Sequence, residues 1–201
     1  EVVAREVSGT FNLEYKKYFM FWGAIEPKKN VGRLIEAYLA SGVEDPLVIV
    51  GSKAWKSDQE LKLLYDENLK YFEQSGQKKS IKEKIIHLDY VPFSILVSLI
   101  KGAKATIFPS LYEGFGLPVL ESMLLGTPVI TSNTSSIPEI AGEAALLVNP
   151  YDTIELSDAI RQVDADEDLR DHLIKQGIAR AALFSQDAYC ERLNGIYKKL
   201  L

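Results

Sequence analysis

Ala105-Thr106-Ile107-Phe108-Pro109-Ser110-Leu111-Tyr112-Glu113-Gly114-Phe115-Gly116-Leu117-Pro118-Val119-Leu120-Glu121 is the stretch that decides the fold. Its first four residues form a short apolar run rich in strand formers, and a glycine-containing turn follows. Pro118 then suits the first turn of a helix, where a missing N–H is not needed. A strand that ends in a glycine turn and feeds a helix is the repeating unit of an α/β fold. The backbone N–H groups of Phe115, Gly116 and Leu117 are expected to point outward and unpaired at the positive end of that helix, a ready site for an anion such as a diphosphate.

The same alternation runs outward in both directions. Further apolar runs fall at Tyr18–Trp22, Leu47–Val50, Ile85–Leu88, Pro128–Thr131 and Ala145–Val148. They are nearly continuous rather than alternating, as strands buried on both faces of a parallel sheet are. Between them, helical spacing predicts helices over Val31–Ala40, Gln59–Gln74, Phe93–Lys101 and Leu117–Leu125. Ser75–Lys84 is polar and Lys-rich and reads as a solvated loop. From Thr153 onward no strand is expected, and three helices follow over Thr153–Val163, Glu167–Ala182 and Gln186–Leu200. The fold class is α/β: a Rossmann-like, doubly wound parallel sheet of about six strands with C-terminal helices. Residues 1–17 lack a period and read as a tail or linker stub, and 18–201 as a single domain.

Composition narrows the chemistry. The chain has 201 residues, 47% hydrophobic and 25% charged, the balance of a folded globular domain. Its formal net charge of −5 argues against nucleic acid, which requires a basic face. A single cysteine, Cys190, allows no internal disulfide, and no apolar run is long enough to span a bilayer. The expected location is cytoplasmic, with any attachment to the inner face of a membrane made through a longer full-length protein. The chain opens on Glu1 rather than methionine, which suggests a piece of such a protein.

In an open parallel sheet, ligands bind beyond the carboxyl ends of the strands. After Phe108, Glu113 and Glu121 frame the glycine turn. A ribose diol would satisfy both oxygens of Glu121 among its apolar helix neighbours; an ordinary helix glutamate is the other reading. After Trp22 comes Gly23-Ala24-Ile25-Glu26-Pro27-Lys28-Lys29-Asn30. Gly23 permits a tight turn or close approach, and Asn30 suits an N-cap. Lys28 and Lys29 place positive charge where a helix N-terminus disfavours it, which suggests a phosphate to neutralise; a solvated lysine pair is the alternative. Ile86–Val91 supplies another strand end that could edge a base. Asp164-Ala165-Asp166 has metal-binding Asp-x-Asp spacing, but it joins two helices and reads better as helix capping. His87 and His172 read as structural.

Together these residues resemble glycosyltransferase family 4. Glu113–Glu121, continued by Gly126-Thr127-Pro128-Val129-Ile130, resembles the family's E-x(7)-E donor motif. Gly23–Asn30 resembles its G-x-x-x-P-[RK]-K-N segment, frequent among mannosyltransferases. Ser135–Glu139 and Gly142–Ala145 match as well, so the resemblance runs from Tyr18 to the C-terminal helix. It implies the C-terminal, donor-binding half of a two-domain GT-B enzyme that transfers a hexose from a nucleotide sugar with retention and without a metal or other cofactor.

By position, the resemblance gives Glu113 the catalytic place against donor-sugar hydroxyls. Gly114, Phe115, Gly116 and Leu117 fall on sugar and phosphate, Glu121 on the ribose and Lys29 on the diphosphate, with Gly23 and Lys28 also at the nucleotide sugar. Ala24 departs from the pattern, since many members carry an arginine there; Lys28 is the expected substitute. The implied partners are GDP-mannose or a UDP-hexose, an absent N-terminal acceptor domain, and a glycan or lipid-linked acceptor. The isolated chain is expected to bind donor without transferring it. A nucleotide-sugar hydrolase or 2-epimerase, or a non-catalytic partner subunit, would share the architecture.

Overall fold

A computed structural model describes residues 3, 7, 9, 11–54, 60, 62, 70–75 and 78–200. The expected alternation is present. In chain order the elements are β1 (Phe19–Trp22), α1 (Val31–Ser41), β2 (Leu47–Val50), β3 (Lys70–Ser75), β4 (Lys78–Glu83), β5 (Ile85–Leu88) and α2 (Phe93–Gly102). They continue with β6 (Ala105–Phe108), α3 (Leu117–Leu124), β7 (Val129–Ser132), α4 (Ile137–Ala141) and β8 (Leu146–Val148). Three helices close the chain: α5 (Thr153–Ala165), α6 (Glu167–Ala182) and α7 (Gln186–Leu200).

Six strands form one sheet in the order β5-β2-β1-β6-β7-β8, and every pairing is parallel. All four residues of β1, β2, β6 and β7 are buried, as a sheet covered on both faces requires. On α1, Val31, Leu34, Ile35, Ala37 and Tyr38 are buried at helical spacing, and the helix packs on α5. α3 packs on α6 and buries Val119 and Met123. The chain winds outward from β1 through β2 to β5, then returns to lay β6 on the other side of β1. The switch point therefore lies between β1 and β6, where a doubly wound sheet opens its ligand crevice.

Two expectations need correction. Lys70–Ser75 is a strand, not the end of a helix over Gln59–Gln74, and Lys78–Glu83 is a strand, not a loop; the two pair antiparallel, with Phe72 opposite Ile81. Tyr71, Phe72 and Ile81 are strand formers, and cross-strand pairing prevails over weak helical spacing. The rest of the predicted helix, apart from Glu60 and Lys62, lies outside the described residues. The 1–17 stretch is not simply a tail either. Val7 and Leu13 are buried in the core, and Lys16 donates its backbone N–H to Gly102 O at 2.7 Å. Its apolar residues are too sparse to show a period, yet Val7 lies against Gly102 at the end of α2.

Candidate functional site

The turns after β1 and β6 lie side by side because their strands are neighbours in the sheet. Lys29, from the first, donates to Glu113 Oε1 of the second at 2.6 Å, with both side chains 14% exposed. Ser110 Oγ donates to the same oxygen at 2.8 Å. Among the described residues nothing donates to Oε2, so the carboxylate is held by one oxygen and free on the other. Its backbone is gripped by the loop after β7: Glu113 N donates to Ser135 Oγ at 2.9 Å, and Ser136 Oγ donates to Glu113 O at 2.8 Å.

Beside this pair, Gly116 occupies the N-cap of α3 in the left-handed region, at φ 104°. A Cβ there would also lie 2.7 Å from Ile137 Cδ1, so both backbone and space call for glycine. With glycine at the cap there is no side chain to satisfy the helix's first N–H groups. Those of Phe115, Gly116 and Leu117 donate to no acceptor among the described residues. Three free N–H groups, a helix dipole and a partly buried lysine make a locus for a polyanion.

Glu121 departs from expectation in part. Its residue is exposed rather than enclosed by apolar neighbours, because α3 turns Val119, Ser122 and Met123 inward instead. Its carboxyl is still desolvated enough to push its pKa up, and a hydrogen bond from the Trp22 side chain partly opposes that shift. Trp22 ends β1, so this contact also spans the switch point.

The remaining predicted residues divide. Gly23, at φ 134°, continues the β1 ladder by donating to Val50 O at 2.9 Å. Gly51 must be glycine opposite it, since a Cβ would fall 1.9 Å from Gly23 O. Lys28 pairs with Glu26 at 3.1 Å and is half exposed, while its carbonyl accepts from Leu111 N at 2.7 Å. Gly114 and Leu117 are exposed, and Phe115 stands edge-on to Phe184 with ring centroids 6.1 Å apart. Asn30 sits at the N-cap of α1, but its side chain does not cap the helix. Instead Nδ2 donates to Pro109 O at 3.0 Å and Pro150 O at 2.7 Å.

The Asp-x-Asp segment behaves as a helix junction. Asp164 pairs with Lys104 at 2.5 Å, and Asp166 caps α6 by accepting from Leu169 N at 2.8 Å. His87 Nε2 lies 2.9 Å from Gly51 O, a structural contact. Sequence reasoning passed over Ser110, whose spacing of three residues from Glu113 was a legible signal, and over the Trp22 side chain, which left none.

A six-stranded, doubly wound parallel sheet with flanking helices defines a Rossmann-like α/β domain. Residues 6–180 match the family described as glycosyl transferases group 1, and the chain belongs to it. It is 33% identical over 194 residues to the O-antigen chain mannosyltransferase B of Escherichia coli, covering 94% of this chain and 48% of that protein. It is 31% identical over 173 residues to the serotype-specific mannosyltransferase WbdA of Escherichia coli, covering 84% of this chain and 20% of that one. Among solved structures, the sucrose-phosphate synthase of Thermosynechococcus elongatus superposes with a TM-score of 0.74 at 27% identity, over 97% of this chain and 48% of that one. The α,α-trehalose-phosphate synthase (UDP-forming) of Burkholderia vietnamiensis shares the fold, with a TM-score of 0.72 at 14% identity over 96% of this chain and 51% of that one. The chain thus spans about half the length of the O-antigen relative and of both structures. Among the described residues, no helix is long and apolar enough to cross a membrane.

Proposed function

We propose that this chain is the donor-binding half of a retaining glycosyltransferase that moves a hexose, with mannose favoured, from a nucleotide sugar to a glycan or lipid-linked acceptor. One observation carries the reading: the Lys29–Glu113 pair at 2.6 Å lies beside three N–H groups at the start of α3 that have no acceptor among the described residues. The N–H groups and Lys29 would receive the diphosphate, which is also the leaving group. Fixed donors aimed at charge that grows in the transition state are a strong catalytic device. The open oxygen of Glu113 would take a sugar hydroxyl, and Glu121 the ribose. Lys28 is an outer contact in this scheme, available once it leaves Glu26.

The same groups support a metal-free reading, in which Lys29 and the N-terminus of α3 would take the place of a cation at the diphosphate. Names of relatives favour mannose, and the Pro27-Lys28-Lys29-Asn30 form agrees with GDP as the carrier. In the cell the site would face the cytoplasm, where nucleotide sugars are made. The second wall of the cleft, carrying the acceptor, belongs to a domain outside this chain. Calorimetry with GDP and UDP, with and without EDTA, tests the proposal: binding at unchanged affinity in EDTA is expected. A strict requirement for Mg²⁺ or Mn²⁺ would overturn the metal-free reading. Sugar transfer by this chain alone would overturn the division of labour between halves.

A further inference from the structure

Asn30 looks like a helix cap and is used as something else. Its backbone is left-handed, at φ 60° and ψ 36°, and the residue is 6% exposed. Both amide hydrogens are donated across the sheet, to Pro109 O and Pro150 O, and Oδ1 accepts from Arg33 Nη1 at 2.7 Å. Arg33 reaches Pro150 O as well, at 3.1 Å. Pro109 is the first residue after β6, and Pro150 follows β8, so one amide joins the exits of three strands. Strand exits are where ladder partners run out; without the Asn30 amide, Pro109 O would lose its partner and Pro150 O would keep only Arg33.

We propose that Asn30 is a positioning residue for the site: its side-chain amide clamps the exits of β1, β6 and β8 together and so sets Lys29 against Glu113. Lys29 is gripped on both sides by the same stretch of chain. Lys28 O receives the Leu111 N–H at 2.7 Å on one side, and Asn30 holds Pro109 on the other. Without these ties, the 2.6 Å contact between Lys29 and Glu113 would rest on two long side chains at the tips of separate turns, an arrangement of low intrinsic worth. A clamp of this kind needs an amide. Aspartate serves an N-cap as well as asparagine does, but here it would aim a carboxylate oxygen at two carbonyl oxygens.

The role assigned to Lys29 and Glu113 rests on the donor-binding reading, so the test has one arm that needs no ligand. Asn30→Asp keeps the shape and the Arg33 contact but donates nothing. Asn30→Gly keeps the left-handed turn and serves if the aspartate variant does not fold. In the first arm, hydrogen exchange at the Leu111 N–H should speed up by about tenfold relative to the Thr106 N–H inside the sheet. In the second, calorimetry with GDP and GDP-mannose should show about tenfold weaker binding, and a Lys29→Ala background should abolish most of that difference. Unchanged Leu111 exchange would overturn the clamp. Weakening of equal size with and without Lys29 would show that Asn30 does not act through it. If the unmodified chain binds neither GDP nor UDP, the donor reading fails alone, and Leu111 exchange still decides the clamp.

Discussion

Two partly buried lysines sit at opposite ends of the same sheet, and they are treated differently. Lys104, just before β6, meets two carboxylates, Asp45 and Asp164, and its ammonium lies 5.6 Å from the Phe19 ring centroid. It is 11% exposed, and its charge is more than matched. Among the described residues, Lys29, beyond the carboxyl end of β1, meets only Glu113, beside N–H groups that have no acceptor. The first cluster closes on itself, tying α5 to the strand starts. The second balances one ammonium with one carboxylate and keeps open N–H donors beside it, which suits the anionic ligand proposed above. Burial and pairing alone do not separate structure from function here; the surplus of donors does.

The comparison breaks most readily at Lys104. Lys104→Met would strand two partly buried carboxylates, and removing one partner from a buried pair is costly, so a loss of about 3 kcal/mol in urea denaturation is expected. Affinity for GDP should stay unchanged when measured well below the transition. A loss of binding comparable to the loss of stability would mean that the two ends of the sheet are coupled.

The next effect is smaller and sharpens the functional end. Glu121→Ala should weaken GDP and GDP-mannose alike, by roughly 10- to 150-fold, the value of one charge-assisted hydrogen bond. Glu113→Ala should weaken the sugar nucleotide more than GDP, because it removes the proposed sugar contact as well as the partner that positions Lys29. Calorimetry on two variants with two ligands decides both. Equal losses for both ligands in the Glu113 variant would remove its sugar role, and no loss in the Glu121 variant would leave an ordinary helix glutamate.

The smallest effect is in pH. Desolvation holds the Glu121 pKa above the ordinary carboxylate range. Accepting from both ribose hydroxyls calls for the ionised form, so the part of GDP affinity that depends on Glu121 should weaken as pH falls from neutral through its raised pKa. A normal glutamate would hold its charge lower than that. Glu121→Gln should abolish this dependence. The sign for stability is opposite: a carboxyl whose folded pKa is raised favours folding below its unfolded pKa, and that advantage is lost as pH rises through the folded value. Denaturation midpoints of the unmodified chain should therefore fall slightly over that window relative to the glutamine variant. A flat affinity profile would remove Glu121 from the ribose.

Much was legible because strands and glycine turns are local features. The six sheet strands announced themselves as runs of β-formers, with bounds shifted by one residue where Pro128, which has no N–H, stands outside the ladder. Gly116 and Pro118 marked the start of α3 by backbone chemistry alone. The β3–β4 hairpin was missed because Tyr71, Phe72 and their neighbours satisfy a helical period as well as a strand one.

Position across the sheet was a different matter, because no local rule reports which strand lies beside which. Lys29 and Glu113 are 84 residues apart in the chain and meet because the sheet reverses direction between β1 and β6. The same reversal brings the Trp22 side chain to Glu121 and turns Asn30 from an apparent cap into a bridge between Pro109 and Pro150. Residue types, turn chemistry and the strands of the parallel sheet were thus legible in the sequence read locally. The pairing of charges, and which donors stay open, was decided only when parallel strands distant in the chain came to lie 4.7–4.9 Å apart, roughly the spacing every sheet imposes.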